Sequence, residues 1–125
     1  MTEKPIALII EDDSDQAEIF TQALRQAGYE THTSYDGKDG LKCIRELRPH
    51  IVILDLHLPF LQGDEILKIV RQDPEIKDTK IILATANPQW AEPLREESDL
   101  VLIKPVAFGQ LQILATRLLS DKSLR

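Results

Sequence analysis

The sequence has little of what stabilises secreted proteins or spans membranes. It contains a single cysteine, Cys43, so no disulfide can form within the chain. No apolar run approaches the length of a transmembrane helix, and the first residues, MTEKPIALII, are soon followed by acids, unlike a signal peptide. Basic residues are also few: 15 Lys and Arg against 21 Asp and Glu give a net charge of −6. This charge disfavours nucleic acid and anionic membranes as direct partners, and we expect a cytoplasmic protein.

Internal repeats, low-complexity tracts and long linkers are also absent from the sequence. No glycine-rich phosphate loop follows the first apolar run, which argues against a nucleotide-binding protein. A length of 125 residues, 42% of them hydrophobic, is sufficient for one domain with its own core. We therefore expect a single domain over residues 1–125.

Five short runs have the length and composition of β-strands. Four are continuously apolar and the second, ETHTS, is the weakest; they cover residues 6–10, 30–34, 51–54, 81–84 and 100–103. Continuous rather than alternating apolar character is typical of strands that are covered on both faces, as in a parallel sheet.

Helical patterns follow each of these runs. Apolar residues recur at helical spacing within residues 17–27, 41–47, 66–70 and 111–118. Between the last two strands, Asn87 and Pro88 predict the N-cap and first position of a short helix that is interrupted near Pro93. Trp90 on this helix could pack beneath it or lie exposed on a partner surface, and the sequence leaves both open.

Strict alternation of five strands and five helices predicts an α/β fold, a doubly wound parallel sheet with helices on both faces. The flavodoxin-like strand order 2-1-3-4-5 suits this pattern, and such sheets bind ligands beyond the carboxyl ends of their strands. The residues that leave this edge are polar or charged: Glu11, Asp12, Asp13, Asp55, Thr85 and Lys104.

Acids at this edge would repel one another unless something positive lies between them. A like-charged pair 4 Å apart costs about 4 kcal/mol at an effective dielectric of 20. Lys104 supplies one positive charge, and Mg²⁺, which takes one or two protein carboxylates and keeps several waters, would supply two more. A metal, a lysine, a hydroxyl and a carboxylate are the components of phosphoryl transfer, and Asp55 on the central strand is the predicted acceptor. Asp13 is expected instead to cap the first helix, with Gln16 completing a capping box.

Four segments then match one family. LIIEDD, IVILDLHLP…G, IILATA and LVLIKP occur in the order and at the spacing of response-regulator receiver domains, the phosphoacceptors of two-component signalling. The chain resembles this family from about residue 6 to residue 119, which would be the core of the domain. Each segment alone is a weak signal, but the four together are specific.

The resemblance implies a role for each matching residue. Glu11 and Asp12 correspond to the acidic pair that holds Mg²⁺, with Asp12 the expected direct ligand. Asp55 corresponds to the phosphorylated aspartate and a metal ligand, and the backbone carbonyl of His57 to another ligand. Thr85 corresponds to the switch hydroxyl, and Lys104 to the lysine that pairs with the phosphate, with the bond to Pro105 often cis.

Three positions depart from the family pattern. Val101 stands where many receivers have Tyr or Phe, so the usual coupling of that aromatic to Thr85 is in doubt. Val106 replaces a common Phe, and LPFLQG (residues 58–63) replaces a loop that more often ends in Met-Asp-Gly.

The resemblance implies a phosphorylation switch rather than an enzyme, with self-phosphorylation and autodephosphorylation as its only chemistry. A histidine kinase or phosphotransfer protein would be the donor, and the face of the fourth helix, fifth strand and fifth helix would bind a protein target. A monomer and a homodimer both stay open.

Two rival functions compete with this one. A receiver-like scaffold that is never phosphorylated would explain Val101 but not the acids. A phosphatase of the haloacid-dehalogenase type would require a second Asp where the chain has His57.

Overall fold

The structure, a computed structural model, describes residues 3–120. Strands and helices alternate along the chain in this order: β1 (Ile6–Ile10), α1 (Ser14–Gln26), β2 (Glu30–Ser34), α2 (Gly37–Leu47), β3 (Ile51–Asp55), α3 (Gly63–Gln72), β4 (Lys80–Thr85), α4 (Pro88–Ala91), β5 (Leu100–Ile103) and α5 (Phe108–Ser120). A single 3-10 turn, Glu92–Leu94, follows α4. The five strands form one parallel sheet in the order β2-β1-β3-β4-β5, so the predicted fold class and strand order are confirmed.

The sheet has a separate apolar core on each face, as the continuous apolar strands predict. Side chains of β1 alternate between the two cores: Ala7 and Ile9 pack toward α1 and α5, while Leu8 and Ile10 pack toward α2 and α3. Strand β2 pairs only with β1 and is half-buried along most of its length, which explains why its sequence is polar.

Helix caps agree with the sequence except at one point. The Asp13 carboxylate accepts hydrogen bonds from the backbone N–H groups of Asp15 (2.9 Å) and Gln16 (3.1 Å), so Asp13 is the N-cap of α1. The expected capping box is wrong in its second half, because the Asp13 N–H donates to Glu11 Oε2 at 3.3 Å. Gln16 Oε1 is consequently buried with no hydrogen-bond partner among residues 3–120.

Helix α4 is short because proline limits it at both ends. The side chain of Asn87 accepts a hydrogen bond from the Gln89 N–H, and Pro88 occupies the first turn, as predicted. Pro93 then lies in the 3-10 turn, where the α-helical hydrogen-bond pattern has ended. Within residues 3–120, no helix combines the length and the apolar character that crossing a bilayer requires.

Candidate functional site

Asp55 is the last residue of β3, the central strand of the sheet. Its neighbours β1 and β4 shield it on both sides, and only 5% of its surface is exposed. The backbone N–H of His57 donates a hydrogen bond to Asp55 Oδ1 at 3.2 Å, which holds the carboxylate in place. This charged group is therefore positioned at the carboxyl edge of the sheet, as predicted.

Three of the predicted acidic residues converge at this edge. One carboxylate oxygen each from Glu11, Asp12 and Asp55 lie within 4.8 Å of one another. Glu11 and Asp55 are buried whereas Asp12 is exposed, so water can reach the cluster from the Asp12 side. Carboxylate oxygens beside solvent suit Mg²⁺, which prefers hard oxygen ligands and retains water. The donor set therefore fits the metal, and Asp13 lies outside it as the helix cap.

Lys104 connects the two buried acids. Its Nζ lies 2.6 Å from Glu11 Oε1 and 3.5 Å from Asp55 Oδ2, and 16% of its side chain is exposed. Burial, the largest influence, lowers the pKa of Lys104, but the hydrogen bond from Lys104 to Glu11 and the charges of Asp55 and Glu11 outweigh burial and raise it. The lysine therefore stays charged at the site. The Lys104–Pro105 peptide bond is cis.

Glu11 carries the most perturbed acid group of the site. Burial, together with the hydrogen bond and negative charge of Asp55, raises the pKa of Glu11 to about 7 against the opposing effect of Lys104. The cluster thus concentrates more negative charge than a single lysine neutralises, which is the electrostatic condition for binding a cation.

Thr85 is at the end of β4 beside Asp55, and it is fully buried. Its hydroxyl oxygen accepts a hydrogen bond from the Asn87 N–H at 3.0 Å, and its carbonyl accepts one from the Lys104 N–H at 2.8 Å. The sheet therefore brings all the predicted side chains to one edge, while the Thr85 hydroxyl is bonded to its own loop.

Comparisons with known proteins identify the family. The family model for the response regulator receiver domain matches residues 7–116. The chain belongs to this family. It is 33% identical over 98 residues to the DNA-binding response regulator MtrA of Mycobacterium tuberculosis, covering 78% of this chain and 43% of that protein. It is also 33% identical over 105 residues to the transcriptional regulatory protein AfsQ1 of Streptomyces coelicolor, covering 82% and 45%. The chain thus spans less than half the length of these relatives.

Solved structures share the same fold. A putative response regulator from Chloroflexus aurantiacus superposes with a TM-score of 0.86 at 29% identity, covering 95% of this chain and all of that one. The chemotaxis response regulator CheY4 of Vibrio cholerae superposes with a TM-score of 0.83 at 25% identity, covering 92% and 98%. The chain is therefore a response regulator receiver domain of two-component systems.

The loop between β3 and α3 of this receiver brings backbone close to Asp55. The Gly63 N–H donates to the Leu56 carbonyl at 3.1 Å, and a Cβ at Gly63 would overlap the Asp55 carbonyl oxygen and Leu56 Cα. Gly63 is the final residue of the segment IVILDLHLP…G, yet its contact with the site was not predicted.

Earlier in the loop, Phe60 has a φ of +71° and its side chain is 86% exposed. The residues on either side of it form a tight turn, in which the Leu61 N–H donates to the Pro59 carbonyl at 2.8 Å.

Two of the three departures from the family pattern occupy ordinary packing positions. Val101 is half-buried against the core under α2 and α3, and Val106 is buried in the core under α1 and α5.

Trp90 is 47% exposed, which favours the partner-surface alternative. Its ring contacts the imidazole of His57, and the sequence carried no signal for that contact.

Proposed function

We propose that this receiver domain is a phosphoacceptor whose Asp55 takes a phosphoryl group from a histidine kinase or a histidine phosphotransfer protein in the presence of Mg²⁺. One observation carries the proposal. Lys104 Nζ lies between Glu11 (2.6 Å) and Asp55 (3.5 Å) within a cluster of three converging carboxylates. This arrangement supports a cation-binding site around the Asp55 carboxylate, with Asp12 on the exposed side from which a donor can approach.

The transfer itself is a substitution at phosphorus. An oxygen of Asp55 forms the new P–O bond, the P–N bond to the donor histidine breaks, and the departing imidazole keeps the electron pair and takes up a proton. The residues that would hold Mg²⁺ are Glu11, Asp12, Asp55 and, through its backbone carbonyl, His57. The metal would neutralise charge on the phosphoryl oxygens. Lys104 supplies a second positive charge to the same oxygens.

After transfer, the phosphoryl group would need new partners on the chain. Lys104 already faces Asp55 Oδ2, and Thr85 is on the adjacent strand with its hydroxyl engaged by Asn87. We propose that the Thr85 hydroxyl leaves Asn87 and donates to a phosphoryl oxygen. Because Asn87 also caps α4, this exchange changes the start of that helix.

The output is a change in protein contacts. The face built from α4, β5 and α5 exposes four large apolar side chains: Trp90, Leu100, Ile103 and Ile113. Exposed apolar side chains gathered on one face support a protein interaction site there. With a net charge of −6, the domain is not expected to contact DNA directly, although one relative is named a DNA-binding regulator.

Labelling with acetyl phosphate and Mg²⁺ tests the proposal, with covalent phosphate followed by intact mass. Asp55→Asn should abolish labelling. Asp13→Asn is the matched control, because it makes the same change at the same edge and Asn also caps helices well. Equal labelling of Asp55→Asn and the parent chain would overturn the assignment. If beryllofluoride and Mg²⁺ left the amide spectrum unchanged, a scaffold that binds partners without phosphorylation would be favoured instead.

A further inference from the structure

A groove of about 510 Å³ lies between the start of α3 and the segment that contains α4. Both the four-residue helix α4 and the 3-10 turn that follows it contribute residues to the lining. Its volume is within the range of protein pockets that bind ligands or side chains of a partner. The phosphorylation chemistry proposed above uses none of the side chains that line it.

The groove has an apolar floor and one aromatic wall. Leu56 and Leu94 are buried at its base, while Trp90 and Pro93 line the side formed by α4 and the 3-10 turn. Trp90 leaves nearly half of its surface uncovered beside these buried leucines. A half-exposed tryptophan beside buried leucines has the character of an interface hot spot.

The rim of the groove is polar and carries a net negative charge. Asp64 on α3 and Glu97 after the 3-10 turn provide two carboxylates, and Lys68 provides one ammonium group. None of these three side chains makes a hydrogen bond or ion pair with another residue of the described chain, 3–120. The charges of the rim are therefore free to pair with a ligand.

We propose that this groove docks a segment of a partner protein in which an arginine or lysine is flanked by apolar side chains. The cation would lie on the indole face of Trp90 and pair with Asp64 and Glu97, while the apolar neighbours cover Leu56 and Leu94. This inference rests on the proposed function, since the partner would be the protein that responds to phosphorylation. The docking surface shares Trp90 with the face of α4, β5 and α5, but it extends toward α3 and includes no residue of β5 or α5.

The groove is physically connected to Asp55. Leu56 in its floor follows Asp55 directly, and the His57 N–H donates to Asp55 Oδ1 while its ring contacts Trp90. A change at the Asp55 carboxylate therefore acts on both the floor and the wall of the groove. We expect beryllofluoride with Mg²⁺ to change the affinity of the groove for its peptide by at least about threefold, a modest coupling between sites.

Selection of phage-displayed random dodecapeptides on the intact chain tests the proposal without presuming a sequence. The expected peptides carry Arg or Lys beside apolar residues. Their synthetic forms should bind Trp90→Ala and the charge reversals Asp64→Lys and Glu97→Lys about tenfold more weakly. Glu96→Lys is the matched control, because this exposed acid precedes Glu97 but does not line the groove, and it should bind as the parent does. Thermal unfolding of each variant checks that it folds.

Three results would overturn the docking proposal: no enrichment, peptides without a basic residue, or equal binding by Trp90→Ala and the parent. Self-association of the parent that Trp90→Ala abolishes would also overturn it, because a second copy would then occupy the groove. Labelling of the parent chain by acetyl phosphate is measured in parallel. Absence of labelling refutes the proposed function alone, since peptide binding without beryllofluoride still tests the groove.

Discussion

The imidazole of His57 lies against the indole of Trp90, with ring centroids 3.8 Å apart and planes tilted by 54°. His57 is two residues beyond Asp55 and bonds to it through the backbone, whereas Trp90 is on α4. Trp90 is also the single tryptophan of the chain. One side-chain contact therefore separates the proposed phosphorylation site from an intrinsic fluorophore on a neighbouring helix.

The contact predicts a fluorescence signal. Adding beryllofluoride and Mg²⁺ should change Trp90 emission in the parent chain, because any movement of His57 alters the environment of the indole. His57→Ala should remove most of this change while leaving Asp55 in place. His32→Ala is a suitable control, since this histidine is on β2 and pairs with Glu30. A full emission change in His57→Ala would show that the signal reaches α4 by another route.

Magnesium binding should depend on pH through Glu11. Burial raises the pKa of Glu11 to about 7, so its carboxyl is mostly protonated below that pH and charged above it. Metal binding favours the charged form and releases the proton, so affinity should increase between about pH 6 and about pH 8. Titration of Mg²⁺ at three pH values, followed by Trp90 emission, measures this. Glu11→Gln should flatten the dependence, and equal affinity at all three values in the parent would contradict it.

Two glycine substitutions should have opposite effects. A Cβ at Gly63 would overlap the Asp55 carbonyl oxygen, so Gly63→Ala must displace backbone and should destabilise the fold by about 2 kcal/mol. Gly109 is in the first turn of α5, where an added Cβ would meet no neighbouring atom within 4 Å, and Gly109→Ala should stabilise by about 0.5 kcal/mol. Urea unfolding compares them. Acetyl phosphate labelling should be slower only in Gly63→Ala, and similar stabilities would refute the close approach.

Local sequence patterns predicted the secondary structure well because each element is encoded by adjacent residues. Strands appear at the predicted runs, with one residue added to β3 and one at each end of β4, and Asn87 and Pro93 limit α4 as expected. Even the polar second run is a strand, since an edge position tolerates half-burial. The convergence of Glu11, Asp12 and Asp55 followed from the order of parallel strands.

Side-chain partners were less predictable, because they depend on rotamers that distant packing selects. The spacing between Asp13 and Gln16 is that of a capping box, but the Asp13 N–H donates to Glu11 instead of Gln16. Likewise, no local sequence pattern predicts that Glu11, which is 93 residues away, is the closer partner of Lys104. The His57 carbonyl as a metal ligand stays a prediction.

A second polar network lies at the opposite edge of the sheet, around Arg71 at the end of α3. Its guanidinium donates to the backbone carbonyls of Glu97 (2.6 Å), Lys77 (2.7 Å) and Thr79 (2.7 Å), and to Asp99 Oδ2 (3.0 Å). These acceptors belong to the segments that enter β4 and β5. The Arg71 side chain therefore connects the segment before β4 to the segment before β5.

Arg71→Lys should destabilise the domain by about 1–3 kcal/mol, although it keeps the positive charge. A lysine has one ammonium group and cannot reproduce the planar fork that reaches four acceptors. The control is Arg95→Ala, because the Arg95 side chain pairs, among residues 3–120, only with the exposed Glu92 and should contribute less than about 1 kcal/mol. Urea unfolding measures both, and acetyl phosphate labelling of Asp55 should proceed normally in Arg71→Lys. If the two variants lost equal stability, the network would be no more than an ordinary surface ion pair.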